Sequence, residues 1–302
     1  MNENPMNAGE NQAGSSSLGK KCIVILGVVG VSFSAILVKN SAAPSMVLVF
    51  YRMFLAALLL TVPGIAAFRR ERGDITGKLL LCCLISGFFL ALHFTLYFEA
   101  VKYTSIASAV LLVDTEVFFV AFATLFFFRE RIPQKAWIGI LVTFVGSVIV
   151  GMGDAGGGSD AVRGDFCALL GSACMAVYTI MGKICRKSLS TTLYTTIVYW
   201  VAAVTTVILL SIQTVPLFGY GGEEILRGFG MAVLCTLLGH SVFSWGLRYV
   251  SASFISTAKL MEPVFASVLG ILFFREIPEV SAVIGGLIIL AGIYYYTIQK
   301  EV

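Results

Sequence analysis

The side chains best suited to chemistry in this sequence are ionisable groups that interrupt long apolar stretches. A charged side chain at the centre of a membrane costs about 2.5–3.5 kcal/mol, so each needs a partner, water or a neutral form. None has the spacing of a nucleophile with its base or of a metal site, and we expect no catalytic residue, metal or cofactor. They are instead candidates for binding a charged solute. The set comprises Arg52, His93, Glu99, Asp114, Glu116, His240, Lys259 and Glu262.

Glu116 and Glu262 are the first candidates because each lies near the middle of its apolar stretch. The two residues occupy matching positions in an internal repeat described below. We expect them to face a common cavity, to bind the substrate and to couple its movement to protons. The alternative is that they only accept hydrogen bonds from neighbouring backbone, especially near Pro263.

Lys259 lies three residues before Glu262, so both project from one helical face. Two hypotheses remain open for Lys259: an ion pair with Glu262 or Asp114, or a cation that holds a substrate carboxylate. Asp114 lies two residues from Glu116, a turn of roughly 200° around a helix. We therefore expect Asp114 to face away from the cavity and to form a structural ion pair.

The remaining binding candidates are a cation, two histidines and two aromatic residues. Arg52 could clamp a carboxylate in a bidentate pair, or its side chain could extend to the outer headgroups. His93 and His240 fall one position apart in the repeat, so they are either cavity residues that exchange protons or hydrogen-bonded core. Tyr97 and Trp245 are predicted to form walls of the cavity, with packing or interface anchoring as the alternative.

The composition places these groups in a membrane protein. Of 302 residues, 58% are hydrophobic and 13% charged, with a mean hydropathy of +0.92, whereas roughly a quarter of a soluble domain is charged. The net charge of +4 is too small for a nucleic-acid-binding surface, so soluble enzymes and nucleic-acid readers are excluded. The seven cysteines are interpreted as small apolar side chains.

Stretches of about twenty apolar residues, the length that crosses a bilayer, predict an all-α polytopic fold with ten transmembrane helices. They cover residues 22–38, 45–67, 79–101, 104–127, 134–151, 164–184, 192–213, 229–248, 253–274 and 280–297. Lysine and arginine collect at alternate ends, as in the cluster Arg69, Arg70 and Arg72, which predicts that both termini are cytoplasmic. We expect the protein in the cell (inner) membrane. Residues 1–20 are predicted to be a flexible cytoplasmic tail.

The chain contains an internal repeat. A shift of 146 residues places 103–146 on 249–292 without a gap. Each unit holds five spans, an odd number, so the second must enter the membrane inverted relative to the first, as in many secondary transporters. The predicted units are 21–151 and 164–298, joined by a Gly-rich linker at 152–163. Glycines seven residues apart should allow the fifth and tenth helices to pack closely; they are Gly139, Gly146, Gly285 and Gly292.

The second unit carries a family resemblance in Leu260-Met261-Glu262-Pro263, in Phe273-Phe274-Arg275-Glu276 and in its two glycines. With these motifs the chain resembles the EamA-like family of the drug/metabolite transporter superfamily. The resemblance implies a ten-helix carrier of small metabolites, often acting outward and coupled to protons. Val117 stands where the second unit has Pro263, so the fourth span should be less kinked.

The expected function is secondary active transport of an amino acid or related zwitterion, with export the expected direction, by alternating access. Protons are the expected driver because the sequence has no G-x-x-x-x-G-K-[ST] motif for ATP. A carrier of an organic cation is the alternative, with the glutamates and aromatic faces holding the amine. A non-transporting membrane sensor is the alternative from another class. The expected partners are a small-molecule substrate, protons and membrane lipids, and no nucleic acid.

Overall fold

A computed structural model describes residues 5–104, 106–129, 132–153, 161–274 and 280–298. Within these ranges the chain is helical and forms no strand. Most of the predicted linker (154–160) and the Arg275-Glu276 pair lie outside the described residues. The helices are α1 (Pro5–Lys39), α2 (Ser45–Glu71), α3 (Gly77–Tyr103), α4 (Ile106–Asp114), α5 (Glu116–Ala123), α6 (Gln134–Gly153), α7 (Ala161–Cys185), α8 (Thr191–Ile212), α9 (Gly222–Gly230), α10 (Ser241–Gly246), α11 (Ala252–Lys259), α12 (Glu262–Phe274) and α13 (Val280–Thr297), with π-helical segments at Thr124–Phe128 and Met231–His240.

These helices fall on the ten predicted apolar stretches. In the described part of the chain, six are long and apolar enough to cross a membrane, which supports a multi-pass membrane protein. They are Leu18–Lys39, Ser45–Glu71, Gly77–Tyr103, Val162–Cys185, Thr191–Ile212 and Gly222–Gly246. The fourth and ninth stretches are each divided into two shorter helices, and α6 and α13 have shorter apolar segments. The number of crossings therefore stays a prediction.

Helix α1 begins earlier than the sequence indicated. It starts at Pro5, inside the segment predicted to be a flexible tail, so that segment continues the first helix. The physical reason is cooperativity, because adding residues to an existing helix needs no new nucleus. The apolar span after residue 20 supplies that nucleus.

Three helices begin at hydroxyl caps that the sequence supplies. The side chain of Thr76 accepts a hydrogen bond from the Leu79 amide at 3.3 Å, and Ser190 accepts one from Leu193 at 3.2 Å. Ser251 caps α11 in the same way. Each cap satisfies an amide that the first turn leaves without a partner, which stabilises the helix by about 1 kcal/mol. These caps fix where α3, α8 and α11 start.

The fourth and ninth apolar stretches break at positions that the repeat matches. Helix α4 ends at Asp114 and α5 begins at Glu116, while α11 ends at Lys259 and α12 begins at Glu262. A tight turn joins each pair of helices. The Thr115 amide donates to the Leu112 carbonyl at 3.2 Å in the first turn, and the second turn has the same three-residue spacing.

The helix of the fourth span is interrupted as well, and the expectation that it is less kinked than the ninth stays a prediction. The first copy has no proline at its break. Instead, the Thr115 hydroxyl donates to the Leu112 carbonyl at 2.6 Å, and its oxygen lies 3.0 Å from the Ser172 hydroxyl oxygen. A threonine that bonds back to its own helix often bends it, and the contact with Ser172 on α7 accompanies the break at this position.

The packing of the helices relates the two halves of the chain. Helix α3 packs on α7, while α1 packs on the π-helical segment before α10. Helix α4 contacts α12, and α5 contacts α11. Helix α2 lies against α8, and α6 lies against α13. Exchanging the first half with the second swaps the first two contacts with each other and the next two with each other, and it leaves α2–α8 and α6–α13 unchanged. The inversion across the membrane stays a prediction.

Helices α6 and α13 approach closely at their glycines, which confirms the predicted packing. A Cβ atom built on Gly146 would lie 2.8 Å from the Gly285 carbonyl oxygen. One built on Gly292 would lie 2.7 Å from the Thr143 amide nitrogen and 3.1 Å from the Gly139 carbonyl oxygen. Because these contacts are to backbone atoms, no larger residue fits without moving a helix.

Candidate functional site

A small cavity lies where the two helix breaks meet. Its volume is about 30 Å³, which is room for one or two water molecules. Seven of the predicted site residues line it together with Asp114. They are Arg52, His93, Tyr97, Glu116, His240, Lys259 and Glu262.

Trp245 is the predicted site residue that does not line this cavity. Its ring centre lies 4.8 Å from that of Tyr249, so it packs against this tyrosine near the end of α10. It follows His240 by five residues, which is about 140° around a helix. The two side chains therefore point in different directions.

A buried ion pair joins the two breaks. The Lys259 ammonium nitrogen lies 2.8 Å from Glu116 Oε1, and the two side chains are only 8% and 2% exposed. The prediction of an ion pair for Lys259 named Glu262 or Asp114 as its partner, which was wrong. Lysine and glutamate meet because α11 packs against α5, and the end of one helix faces the start of the other. The second oxygen of Glu116, Oε2, has no hydrogen-bond partner.

Asp114 corrects a second prediction. It lines the same cavity as Glu116, because the break at Thr115 ends the regular helix on which the 200° argument depended. No ion pair to Asp114 occurs among the described residues. Its side chain is buried and its Oδ2 atom lacks a hydrogen-bond partner. Asp114 therefore belongs to the cavity rather than to a structural ion pair with a neighbouring helix.

Arg52 points into the protein, which rules out extension to the headgroups. The side chain is fully buried, and its guanidinium carbon lies 3.8 Å from the centre of the Phe94 ring. Its Nε donates to Thr236 Oγ1 at 2.8 Å and its Nη1 to Ser34 Oγ at 3.0 Å. The third nitrogen, Nη2, has no partner. Sequence reasoning missed Thr236 and Ser34, although a hydroxyl in an apolar stretch is the signal that finds them.

The two histidines both lie beside the Phe94 ring, each with its ring centre 5.0 Å from that of Phe94. His93 Nδ1 lies 2.9 Å from the Gly171 carbonyl oxygen, so this nitrogen carries the proton in the neutral ring. The ring of His240 lies 5.0 Å from Phe94 and 5.7 Å from Phe243, and its Nδ1 has no partner. His93 is thus both a hydrogen-bonded core residue and a residue that lines the cavity, the two roles that the sequence left open.

Buried polar atoms without partners concentrate at this cavity. Such atoms are rare in proteins and call for an explanation. Here they include both kinds of hydrogen-bonding group, a guanidinium donor and carboxylate acceptors, so the cavity can accept a ligand that carries a cation and an anion. The atoms are Arg52 Nη2, Tyr97 Oη, Asp114 Oδ2, Glu116 Oε2 and His240 Nδ1.

Comparisons with known proteins agree with a transporter fold. A sequence model of the EamA-like transporter family matches residues 20–152 and 162–298. An uncharacterized transporter of Clostridium kluyveri is 27% identical over 76% of this chain and 75% of its own length. The pseudopaline exporter CntI of Pseudomonas aeruginosa is 25% identical, over 85% and 88%. A solved crystal structure matches with a TM-score of 0.73 over 92% of this chain and 97% of its own, at 18% identity, which shows likeness of fold alone.

Proposed function

The chain belongs to the EamA-like transporter family, and from this premise we propose that it is a secondary active transporter of a small zwitterionic metabolite such as an amino acid. The observation that carries the proposal is the buried cavity at the two helix breaks. There, two fixed cations, Arg52 and Lys259, lie among the carboxyl groups of Asp114, Glu116 and Glu262.

The proposal of a zwitterionic substrate rests on the buried polar atoms that lack hydrogen-bond partners. Arg52 Nη2 is a free donor for a substrate carboxylate, in a side chain whose other nitrogens are already fixed by hydrogen bonds. Asp114 Oδ2 and Glu116 Oε2 are free acceptors for an ammonium group. Charge-assisted hydrogen bonds of this kind are the stronger ones in proteins. A ligand with both groups satisfies both sets of atoms at once.

Alternating access is supported by the relation between the halves. The helix contacts map onto themselves when the halves are exchanged, and both breaks fall at repeat-matched positions. In carriers built from inverted repeats, discontinuous helices hold the substrate near the membrane centre. A cavity of about 30 Å³ is too small for an amino acid, so the halves must move apart for the solute to enter from either side.

Proton coupling and export complete the proposal. Glu262 lines the cavity and, within the described residues, forms no ion pair, whereas Glu116 is held by Lys259. Glu262 is therefore the better proton carrier, with Glu116 released when its pair opens. Export is favoured by the relative named as a pseudopaline exporter. The proposal places the protein in the inner membrane, and the distribution of positive charges supports cytoplasmic termini.

A carrier of organic cations is the second candidate. It is favoured by the excess of carboxyl groups over fixed cations in the cavity, and by the rings of Phe94 and Phe243 in its wall, which attract cations. Lys259→Met separates the candidates. It should weaken transport of a carboxylated substrate, whereas an amine should gain the Glu116 carboxylate that Lys259 now occupies.

The test uses sealed proteoliposomes with purified protein and a trapped pH dye. Amino acids, organic cations, nucleosides and carboxylates are added in turn to wild type, Glu262→Gln and Glu99→Gln. Glu99→Gln is the matched control, because Glu99 does not line the cavity. We expect amino-acid-dependent proton movement that Glu262→Gln abolishes and Glu99→Gln retains.

Other outcomes discriminate between the alternatives. Exchange of labelled amino acid without proton movement would refute coupling but not transport. Movement with amines alone would favour the cation carrier. Saturable binding with no flux of any solute in sealed vesicles would contradict transport and favour the membrane sensor.

A further inference from the structure

A second, larger cavity lies at the end of the bundle predicted to be cytoplasmic. Its volume is about 420 Å³, against about 30 Å³ for the central cavity, and the two share no lining residue. Its wall is formed by the ends of α7, α10 and α13, the start of α11, and the segment between α5 and α6. We call it the basic cavity, because its charged lining residues within the described ranges are cations. They are Lys183, Arg186, Lys187 and Arg248.

Arg186 is fixed at the inner wall of the basic cavity. Its side chain is 2% exposed. Its Nε donates to the Ser244 carbonyl at 2.9 Å, and its Nη1 donates to the Leu189 carbonyl. Burial and then the neighbouring charge of Arg248 lower the pKa of Arg186, yet an arginine stays charged in proteins. The cavity therefore holds positive charges that repel one another.

The start of α11 adds neutral donors to the same wall. Ser253 is 1% exposed, lines the basic cavity, and its hydroxyl has no hydrogen-bond partner. Ser251 lines the cavity as well, and its side chain accepts a hydrogen bond from the Phe254 amide at 3.0 Å. The amide end of a helix favours a nearby anion. An unpaired hydroxyl and a helix start thus face the same space as the cations.

The mouth of the basic cavity is open to solvent. Lys187 and Arg248 are exposed, so both can reach a ligand that arrives from the cytoplasm. Lys20 extends the positive region, with its ammonium 4.7 Å from the centre of the Tyr249 ring. A buried arginine at the back of the cavity and exposed cations at its mouth suit an anion that enters from the cytoplasm.

We propose that the basic cavity is an anion site that binds a phosphate group on the cytoplasmic side. A phosphate offers several acceptor oxygens to arginine, lysine and serine donors, and a cavity of about 420 Å³ has room for it together with part of the molecule that bears it. The phosphate belongs either to an anionic phospholipid of the inner leaflet, whose headgroups bind basic pockets between helices, or to a soluble phosphate ester. The site is separate from the solute cavity and does not depend on the transport proposal.

Thermal unfolding of the purified full chain in detergent tests the proposal. Phosphatidylglycerol, phosphatidylcholine, glycerol phosphate and glycerol are titrated separately, because a ligand that binds the folded state raises the midpoint of unfolding. The test variant is Lys187→Gln with Arg248→Gln. The control is Arg69→Gln with Arg72→Gln, which removes the same charge from exposed residues outside the cavity.

We expect phosphatidylglycerol or glycerol phosphate to raise the midpoint in wild type and control, with the responding compound identifying the source of the phosphate. The affinity should fall about 30-fold in the test variant, since each surface cation contributes about fivefold. A response to phosphatidylcholine equal to that to phosphatidylglycerol, with none to glycerol phosphate, would overturn the proposal. So would the absence of any response in wild type, or an equal loss in both double variants. Lys187→Arg with Arg248→Lys should bind as wild type does, which separates lost charge from damaged folding.

Discussion

The buried pair between Lys259 and Glu116 should be strongly coupled in the folded protein. The perturbation is a double-mutant cycle of Lys259→Met, Glu116→Gln and the two together. In wild type the ammonium nitrogen and carboxylate oxygen lie 2.8 Å apart, in side chains 8% and 2% exposed. Water therefore screens the pair very little, and either single change leaves one charge buried without its direct ion-pair partner.

The magnitude follows from that burial. Removing one member of a buried pair costs about 3–5 kcal/mol, whereas replacing both by neutral groups is often close to neutral. We expect each single variant to lose about 3–5 kcal/mol of unfolding free energy and the double variant to lose less than either. At about 2 °C per kcal/mol for a chain of this size, each single change should lower the midpoint by about 6–10 °C.

The pH dependence of Lys259→Met provides a second test of the same reasoning. In this variant the lone Glu116 carboxylate is relieved when it takes up a proton, so the folded state binds the extra proton and the loss of unfolding free energy shrinks as pH falls. The double variant, with neither charge, should show no such trend from this site.

The assay is thermal unfolding in detergent, followed by tryptophan fluorescence over a range of pH. Glu223→Gln is the matched control, because Glu223 is 86% exposed and lies 3.5 Å from Arg227, and exposed pairs contribute at most about 1 kcal/mol. Single losses that simply add in the double variant would refute the reasoning. Losses no larger than that of the control would do so as well.

Two further predictions concern helix packing and the buried arginine. Gly292→Ala should lower the unfolding midpoint by several degrees, since forcing a methyl into a packed contact costs about 1–3 kcal/mol. Gly286→Ala is the control and should be neutral, because its Cβ would meet its nearest neighbour at 3.7 Å. Equal effects of the two changes would contradict the close approach of α6 and α13. Arg52→Lys keeps the charge but cannot reproduce the bonds to both Thr236 and Ser34, and an unpaired buried hydroxyl costs about 1–3 kcal/mol. Solute flux in proteoliposomes should therefore fall at least about fivefold, and flux equal to wild type would show that the charge alone suffices.

Much of the fold was predictable because the apolar stretches are long and their lengths are fixed by a bilayer. The same pattern located the residues of the central cavity, since an ionisable group in an apolar stretch stands out. The 146-residue repeat placed Glu116 and Glu262 in matching positions, and both line the cavity.

The partners within the cavity were not predictable, and the reason lies in one residue. The orientation of Asp114 and the ion pair of Lys259 with Glu116 both depend on the break at Thr115. No glycine or proline marks that position in the first unit, so the regular helical angle was applied across an interruption. The helix that packs beside α11 is determined by tertiary structure, and the spacing of residues along the chain does not predict it.

The pair between Lys259 and Glu116 also sets a preference among substrates, if the proposed function holds. A solute that opens the pair must replace both partners, or it leaves one charge buried alone at about 3–5 kcal/mol. A zwitterion brings a carboxylate for Lys259 and an ammonium for Glu116, whereas a simple amine or acid replaces only one. We therefore expect an amino acid to compete for transport at least about a hundredfold better than its decarboxylated amine or its deaminated acid. In Lys259→Met the amine should approach or overtake the amino acid, because the stranded Glu116 then needs only a cation. Competition against labelled amino acid in proteoliposomes measures both ratios. Equal competition by all three compounds in wild type would show that the ion pair does not determine substrate preference.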